Sequence, residues 1–430
     1  MEALASGSWL TRERVRRIAA ITGLCSLGLL VWLMATSHGT LDWKGRPLGT
    51  DFSEVWAAGW MALHGHAADA WIWSKHFAVQ KALQGPGLTE LYGWHYPPPF
   101  LLVASALALL PYLPALVLWQ AATLTPFALL MQRLVPGRDT LLLSLAAPVT
   151  VICVMHGHNG FLTALLLAGG LMLLDRRPFV AGLLFGCLIY KPQFGLILPI
   201  LLLGGRHWTA ILGACLSAAV LVGVTYLLWG WPVWQAFLTS LPLTRHVVIE
   251  QGAAGFFKIV SPFAAIRMWG GSVQEAYAVQ TCITVAAMAA VARLAFGKRE
   301  IRLRNAVVCA ATVLGTPYVM DYDLTVLLPA LAWLWLDGQE HGWRRWDGTM
   351  MAMVWIGPLF GREAAQLLYL PLDLISALVV VAVALRRSWH RHAAVDVQSL
   401  PGDVAGLAAG EVDAGGTDVL AAAHLAERDS

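Results

Sequence analysis

Long apolar runs separated by short polar breaks fill most of the chain. The first run, residues 18–35, is long enough to cross a bilayer as a helix, because about 18 residues at about 1.5 Å each span the hydrocarbon core. The later runs are residues 100–130, 141–155, 161–174, 179–190, 194–203, 208–229, 276–296, 305–320, 324–336, 349–360 and 365–385. The pattern predicts an all-α integral membrane protein with about 12 transmembrane helices. The run 100–130 contains Pro111 and Pro114 and is either one helix or two short ones, so the count is open by one.

Basic residues cluster in alternate breaks between the apolar runs. The clusters lie at residues 12–17, 133–138, 176–177, 205–207, 298–304, 344–345 and 386–387. Because short cytoplasmic loops carry an excess of Lys and Arg, we expect these breaks and the N-terminus to face the cytoplasm. The run 18–35 is then an uncleaved anchor. A cleaved signal peptide is the alternative, although its apolar region usually has only about 7–15 residues.

Five polar segments are predicted to face the opposite, extracytoplasmic side. They are residues 37–98, 155–160, 190–193, 230–275 and 316–323, and they are called the outer segments below. Every polar residue near the membrane that lacks another explanation falls in one of them. We therefore expect the chemistry of the protein to be carried by the outer segments.

Composition supports the membrane assignment. The chain has 430 residues, of which 58% are hydrophobic and 13% are charged. Soluble domains carry about 25% charged residues, so roughly half of the usual charge is missing. The net charge of +3 is too small to suggest a nucleic-acid partner. The six cysteines lie inside apolar runs without CxxC spacing, which is typical of small buried side chains and not of a disulfide framework or a metal cluster.

The C-terminal part differs from the rest. Residues 388–430 are rich in Ala and Gly with scattered acidic residues, and they lack a long apolar face. The sequence therefore predicts one transmembrane domain, residues 1–387, followed by a disordered cytoplasmic tail, residues 388–430.

The first outer segment contains two carboxylates three residues apart, Asp51 and Glu54. On a short interfacial helix this spacing puts both on one face, with Asp51 at the N-terminus. One interpretation is that Asp51 only caps the helix. The other is a general base at the membrane surface, a role that contributes about 10²–10⁴-fold in rate.

Aromatic and histidine side chains precede several apolar runs. His95 and Tyr96 lie before three prolines, which fix the position of both side chains; interfacial anchoring is the alternative. His158 and Asn159 belong to a His-Gly-His-Asn-Gly turn. Two histidines two residues apart need a third ligand to hold a metal, so a turn that lines a polar cavity is favoured. No metal site is predicted, and a divalent cation is left open without support from ligand spacing.

Three of the basic residues in the outer segments are candidates for function, because the positive-inside bias disfavours a basic residue on this side. Lys191 ends an apolar run, where an ionisable residue either serves function or extends its ammonium to the interface. Together with Gln193 it suits an anionic group such as a phosphate. Arg245 and Lys258 are candidates for a second phosphate clamp, with a surface ion pair as the alternative.

Two further carboxylates, Asp321 and Asp323, lie between two apolar runs. On a short turn they suit three roles: binding a cation, capping the next helix, or accepting hydrogen bonds from sugar hydroxyls. The sequence does not choose among these roles.

Five short stretches occur in a characteristic order between residues 51 and 329. They are Asp51-Phe-x-x-Val-Trp-Ala-Ala-Gly59, Tyr96-Pro-Pro-Pro-Phe100, Gly157-His-Asn-Gly160, Ala181-Gly182 with Tyr190-Lys191-Pro192, and Thr316-Pro317-Tyr318. In this order they resemble glycosyltransferase family 87, the polyprenol-phosphate-sugar-dependent transferases related to bacterial mannosyltransferases. Each stretch is short, and the resemblance rests on their order and placement.

The resemblance implies a GT-C-type fold, a helical bundle whose active site lies at the extracytoplasmic surface of the bacterial plasma (inner) membrane. It implies a polyprenyl-phosphate sugar donor, with mannose or another hexose, and a lipid or glycan hydroxyl as acceptor. Neither a nucleotide nor a soluble cofactor is needed. The base expected in the family maps onto Asp51, and the donor-phosphate contact maps onto Lys191. In-line attack would invert the anomeric configuration.

The chain departs from the family pattern at two places. The Gly-Gln-x-Asn turn of the family reads Gly157-His158-Asn159, and a His-containing segment after the Ser/Thr-Pro turn reads Met320-Asp321-Tyr322-Asp323. The groups that would touch sugar or acceptor therefore differ. The predicted substrate contacts are Glu54, His95, Tyr96, His158, Asn159, Gln193, Asp321 and Asp323.

Two other function classes compete with a transferase. A secondary transporter would place ionisable residues near the bilayer midplane and show repeat symmetry, whereas here the polar residues gather on one side. A lipid-handling or assembly protein without catalysis is the third interpretation, and it would tolerate loss of the Asp51 carboxylate.

Overall fold

The regular structure is helical throughout the described residues. The computed structural model describes residues 1–296 and 300–398, with side chains to residue 389. The α-helices are Glu2–Ser6, Arg12–Ala35, Phe52–Leu63, Trp73–Gln84, Pro99–Leu107, Tyr112–Leu134, Arg138–Leu145, Pro148–His156, Gly160–Leu173, Pro178–Cys187, Pro192–Gly195, Leu198–Gly204, Trp208–Thr244, Pro262–Met268, Val273–Ala295, Ile301–Leu314, Leu327–His341, Asp347–Ile356, Gly361–Leu368 and Leu372–Gln398. Short 3₁₀ turns are Ala67–Trp71, Leu188–Tyr190, Phe256–Lys258, Asp321–Val326 and Gly357–Leu359, and Arg245–Glu250 is a π-helix.

One compact unit spans Met1–Ala384, and a second begins at Leu385. Of the second unit, the structure describes the end of the helix Leu372–Gln398, which continues past residue 388 where the predicted tail begins. The rest of that tail, residues 399–430, and the basic residues Lys298 and Arg299 lie outside the described residues.

Each predicted apolar run is largely helical, but the helix in run 305–320 ends at Leu314, and run 365–385 is broken between Leu368 and Leu372. The ambiguous run 100–130 is two helices, Pro99–Leu107 and Tyr112–Leu134, separated by a break that ends at Pro111. Proline lacks the N–H that continues a helix but is favoured in a first turn, so such positions separate one helix from the next.

The count of about 12 transmembrane helices is not confirmed. Within the described residues, 4 helices are long and apolar enough to cross a membrane, or up to 6 if each bent pair is one span. Other apolar helices have 10–17 residues, for example Gly160–Leu173. Proline and glycine breaks shorten them: Arg138–Leu145 and Pro148–His156 form a pair bent by 53°. Such helices are too short to span upright alone.

The outward-facing apolar side chains fit a membrane environment. In the helix Arg12–Ala35, Leu24 is 69% exposed and Leu27 is 58% exposed. Soluble proteins rarely expose contiguous apolar surface of this kind, whereas lipid-facing helices require it.

The long outer segment 230–275 is not a simple loop. The helix Trp208–Thr244 runs through its first part, interrupted at Gly230. Gly230 has φ of 70°, a conformation that glycine adopts without strain. Pro232 then suits the first turn of the outer half, where Val233 and Phe237 are buried. The prediction missed this half-helix because a Gly-Trp-Pro sequence is a typical stop signal.

An aromatic cluster connects the outer segments. The rings of Trp94 and Phe100 stack with centroids 5.8 Å apart, and Phe100 stacks on Tyr190 at 4.9 Å. Tyr96 packs against Phe100 at 4.6 Å. All four side chains are buried, so aromatic packing holds the outer segments 37–98 and 190–193 together.

Candidate active site

A cavity of about 810 Å³ lies where the outer segments meet. It is lined by residues from all five of them, including Asp51, Glu54, His95, Tyr96, His156, His158, Lys191, Gln193, Arg245, Lys258, Tyr322 and Asp323, and by Arg362. Polar residues that are far apart in sequence are therefore close in space. The sequence analysis predicts this, because it places the outer segments on the same side of the membrane. This size suits a small-molecule or sugar site.

Asp51 lies at the N-cap position of the helix Phe52–Leu63, but its side chain makes no capping hydrogen bond. Instead the Thr50 hydroxyl donates to Asp51 Oδ1 at 3.3 Å. The carboxylate is 21% exposed and lines the cavity. The capping interpretation therefore fails, and the carboxylate remains available to a ligand.

The Asp51 backbone is held against the turn that follows Pro148–His156. The Asp51 N–H donates to the His156 carbonyl at 3.0 Å. Gly157 makes this approach fit, because it has φ of 61° and a Cβ there would lie 2.7 Å from Phe52 Cβ. Any other residue would be strained in backbone and push the two segments apart.

Glu54 lies deeper on the same helix face. The side chain is buried yet lines the cavity, which agrees with the predicted shared face. Burial raises the pKa of Glu54 well above its usual range, and the nearby Asp51 charge adds to the rise while Lys191 opposes it. This shift favours the protonated form of the carboxyl, and that form can donate a hydrogen bond to a bound hydroxyl.

Two aromatic–histidine contacts form one wall of the cavity. The Tyr96 hydroxyl and His158 Nε2 are 2.8 Å apart, and the His158 ring stacks on Tyr322 with centroids 3.5 Å apart. His95 Nδ1 is 3.2 Å from the Thr244 hydroxyl. Burial lowers the pKa of His95 to about 4, so this ring is neutral near pH 7.

Lys191 and Asp323 form a buried ion pair. Lys191 Nζ is 2.5 Å from Asp323 Oδ1, and the side chains are 5% and 3% exposed. Burial raises the pKa of Asp323, and the adjacent Lys191 ammonium offsets part of that rise. The Met320 N–H also donates to Asp323 Oδ2 at 3.2 Å. The positive charge of Lys191 is therefore already balanced by the protein.

The two other predicted cations differ from each other. Arg245 Nε is 3.3 Å from Glu250 Oε1, in a pair whose arginine is exposed and whose glutamate is half-buried, as the ion-pair alternative predicts. Lys258 has no carboxylate partner among the described residues; its ammonium lies over the Phe257 ring at 5.8 Å. The segment after Lys258 is fixed by the Val260 N–H, which donates to the Val319 carbonyl at 2.7 Å. Lys258 thus offers the cavity an uncompensated positive charge.

Two predicted substrate contacts do not line the cavity. Asn159 is buried behind the wall, in the N-cap position of the helix Gly160–Leu173. Asp321 is also buried, and its carboxylate pairs with Arg362. A turn of alternating side chains sends only some of them towards the cavity, so both of these side chains lie outside its lining. A role of either residue in substrate binding stays a prediction. Asp321 and Asp323 do bind cations, but these cations belong to the protein: Arg362 pairs with Asp321, and Lys191 pairs with Asp323.

Sequence reasoning missed Arg362, which lines the cavity. It lies at the start of the helix Gly361–Leu368, in a short break between two apolar runs. The charge pattern contained the signal: the basic cluster 344–345 is predicted to be cytoplasmic, so one crossing later Arg362 falls on the outer side, like Lys191. His156 is the first residue of the His-Gly-His-Asn-Gly turn and Thr50 directly precedes Asp51, but neither was predicted to serve function.

No group of three His, Cys, Asp or Glu side chains in the described part of the chain is placed to hold a metal ion. His156 contacts Thr50 and Arg362, and His158 contacts Tyr96, so both rings of the His-Gly-His turn have protein partners. This favours the cavity-lining interpretation of the turn.

The family model of glycosyltransferase family 87 matches residues 94–317. The chain belongs to glycosyltransferase family 87. Membership indicates a membrane glycosyltransferase, which needs a sugar donor and an acceptor. The matched region of this family 87 protein contains Lys191 and Lys258 but not Asp51 or Arg362. No curated protein and no solved structure matches the chain.

Proposed function

We propose that this glycosyltransferase moves a hexose, such as mannose, from a polyprenyl-phosphate donor to a hydroxyl of a lipid or glycan acceptor at the extracytoplasmic face. The observation that carries the proposal is the single cavity in which an uncapped carboxylate, Asp51, occurs together with an unpaired cation, Lys258. Glycosyl transfer needs both groups, one for the incoming hydroxyl and one for the departing phosphate.

Asp51 acts as general base in this proposal. Its carboxylate takes the proton of the acceptor hydroxyl while the oxygen forms a bond to the anomeric carbon. The bond from that carbon to the phosphate oxygen breaks, and the phosphate leaves with the electron pair. Because attack and departure occur on opposite sides, the configuration inverts. The protonated Glu54 would hold a sugar or acceptor hydroxyl beside this base.

Lys258 is the first candidate for the leaving phosphate. Arg245 can join it, because its guanidinium is exposed to solvent and such a pair contributes little free energy, so that it is easily exchanged. Lys191 is already paired with Asp323, so it mainly holds the cavity wall in place. Its positive charge acts on the phosphate only in part, because the Asp323 carboxylate offsets it. Gln193 lies beside Lys191 along the same wall and can donate to a phosphate oxygen.

Apolar surface next to the cavity supports a lipid-linked donor. Phe237, Leu241 and Val248 line the cavity on the side of the outer half of Trp208–Thr244. Leu238 and Leu243 on the same half-helix are exposed outward. A polyprenyl chain can therefore stay in lipid while its phosphate reaches the cations.

The proposal is tested with membranes from cells that express the protein. We expect sugar transfer from one member of a panel of labelled polyprenyl-phosphate hexoses, and none above background from the nucleotide sugars. Membranes that carry the empty vector are the control. Transfer from a nucleotide sugar alone would overturn the donor assignment, and accumulation of an unmodified solute in vesicles would favour a transporter.

Replacing Lys258 by alanine is expected to lower kcat/KM for the donor by roughly 10- to 100-fold, since a hydrogen bond to a charged group is worth about 1.5–3 kcal/mol. Most of the change should appear in KM. Lys81→Ala is a matched control, because Lys81 also lies over a phenylalanine ring, Phe77 at 5.9 Å, but does not line the cavity. Equal donor kinetics for the two variants would contradict the role of Lys258.

A further inference from the structure

A continuous chain of polar contacts runs from Arg362 to Asp51. Arg362 Nη2 is 2.7 Å from His156 Nε2, and His156 Nδ1 is 2.6 Å from the Thr50 hydroxyl. That hydroxyl donates to Asp51 Oδ1 at 3.3 Å. We infer that Thr50, His156 and Arg362 are positioning residues that fix the orientation of the Asp51 carboxylate. This inference rests on the proposed function of Asp51 as base.

The direction of every hydrogen bond in this chain is determined. A guanidinium has only donors, so His156 Nε2 must accept from Arg362. The single imidazole proton is then on Nδ1, which donates to the Thr50 oxygen. Because the Thr50 oxygen accepts this bond, its own hydrogen is free to be donated to Asp51 Oδ1. Each donor thus has one acceptor, and none of the links competes with another.

The far end of the chain is anchored in the protein interior. Arg362 Nε pairs with the Asp321 carboxylate, which is 1% exposed. The Tyr322 N–H also donates to Asp321 Oδ1 at 2.9 Å, so this carboxylate cannot turn away. An anchored arginine holds the imidazole in one tautomer and one orientation, which is how an acid–base group is usually oriented by its neighbours.

The arrangement assigns different tasks to the two Asp51 oxygens. Oδ1 is occupied by the Thr50 hydroxyl, whereas Oδ2 accepts no hydrogen bond from any residue that the structure describes. Oδ2 is therefore the oxygen left for the acceptor hydroxyl. His156 is 4.0 Å from Asp51 and is the rival base, but its Nε2 lone pair is already used by Arg362. It can orient the base but cannot replace it.

The kinetic test compares two substitutions of Thr50. Thr50→Val keeps the shape but removes the hydroxyl, and we expect kcat to fall about 10- to 100-fold with donor KM unchanged. Thr50→Ser keeps the hydroxyl and should recover most of the rate. In an Asp51→Asn background, Thr50→Val should change the residual rate less than about twofold, because the two residues act as a unit. A serine variant as slow as the valine variant, or a valine variant with wild-type kcat, would overturn the inference.

A measurement that does not depend on sugar transfer separates this inference from the proposed function. In protein labelled with ¹⁵N-histidine, the His156 signal is assigned by its loss in His156→Asn. We expect the neutral tautomer with the proton on Nδ1. A proton on Nε2 would overturn the chain of contacts. If no donor supports transfer but the Nδ1–H tautomer is present, the proposed function fails while the positioning chain stands.

Discussion

Asp51→Asn is expected to lower sugar transfer by about 10²–10⁴-fold, the usual contribution of a general base. The amide has the same size but cannot take a proton from the acceptor hydroxyl. The protein should still fold, because the Asp51 side chain does not cap its helix and is not fully buried. The measurement is the rate of transfer from the labelled polyprenyl-phosphate sugar, normalised to the amount of protein in the membrane.

Asp69→Asn is the matched control for this variant. Asp69 lies in the same outer segment and pairs with Lys75 at 2.8 Å, but it does not line the cavity. Its removal should leave transfer near the wild-type rate. Wild-type transfer by the Asp51 variant would show that Asp51 is not the general base and would remove this mechanism.

Asp323→Asn is expected to destabilise the protein by about 3–5 kcal/mol, because it leaves the buried Lys191 ammonium without its partner. Lys191→Met should cost a similar amount by leaving the Asp323 carboxylate unpaired. The double variant Lys191→Met with Asp323→Asn should recover much of the loss, since it removes both buried charges together. The measurement is thermal unfolding in detergent, followed by the loss of the helical signal.

The control for the ion pair is another lysine–aspartate pair. Lys75 and Asp69 are exposed, so breaking their pair should cost at most about 1 kcal/mol. If the double variant is as unstable as the sum of the two single ones, Lys191 and Asp323 are not coupled. Lys191→Ala should also weaken use of the donor; unchanged donor kinetics in that variant would restrict Lys191 to a structural role.

The sequence predicted the positions of the helices better than the number of times the chain crosses the membrane. Apolar runs locate helices because they are a local signal, and each predicted run contains at least one helix. A bend or break is harder to judge: residues 141–155 form a bent pair, and Gly230 interrupts a helix without ending it. Whether short helices pair into one span depends on tertiary packing, which periodicity does not report.

The sequence predicted which segments of the chain form the site. It did not predict which side chains in the site pair with each other. Charge asymmetry placed the outer segments together, and the cavity contains Asp51, Glu54 and Lys258. The pairs Lys191–Asp323 and Arg362–Asp321 join residues that are distant in sequence, so no local pattern reveals them. The same limit explains why Lys191 was predicted to be a free phosphate ligand.

The contact between Arg362 and His156 has a consequence for biogenesis. Asp51 is inserted with the first part of the chain, but the arginine at the far end of its supporting contacts is synthesised only after most of the remaining helices. A nascent protein that ends before Gly361 would already possess both Asp51 and Lys258, yet it would lack the guanidinium that contacts the His156 imidazole. If these contacts orient the Asp51 carboxylate as inferred, that orientation is completed only when translation of the helical region is nearly finished.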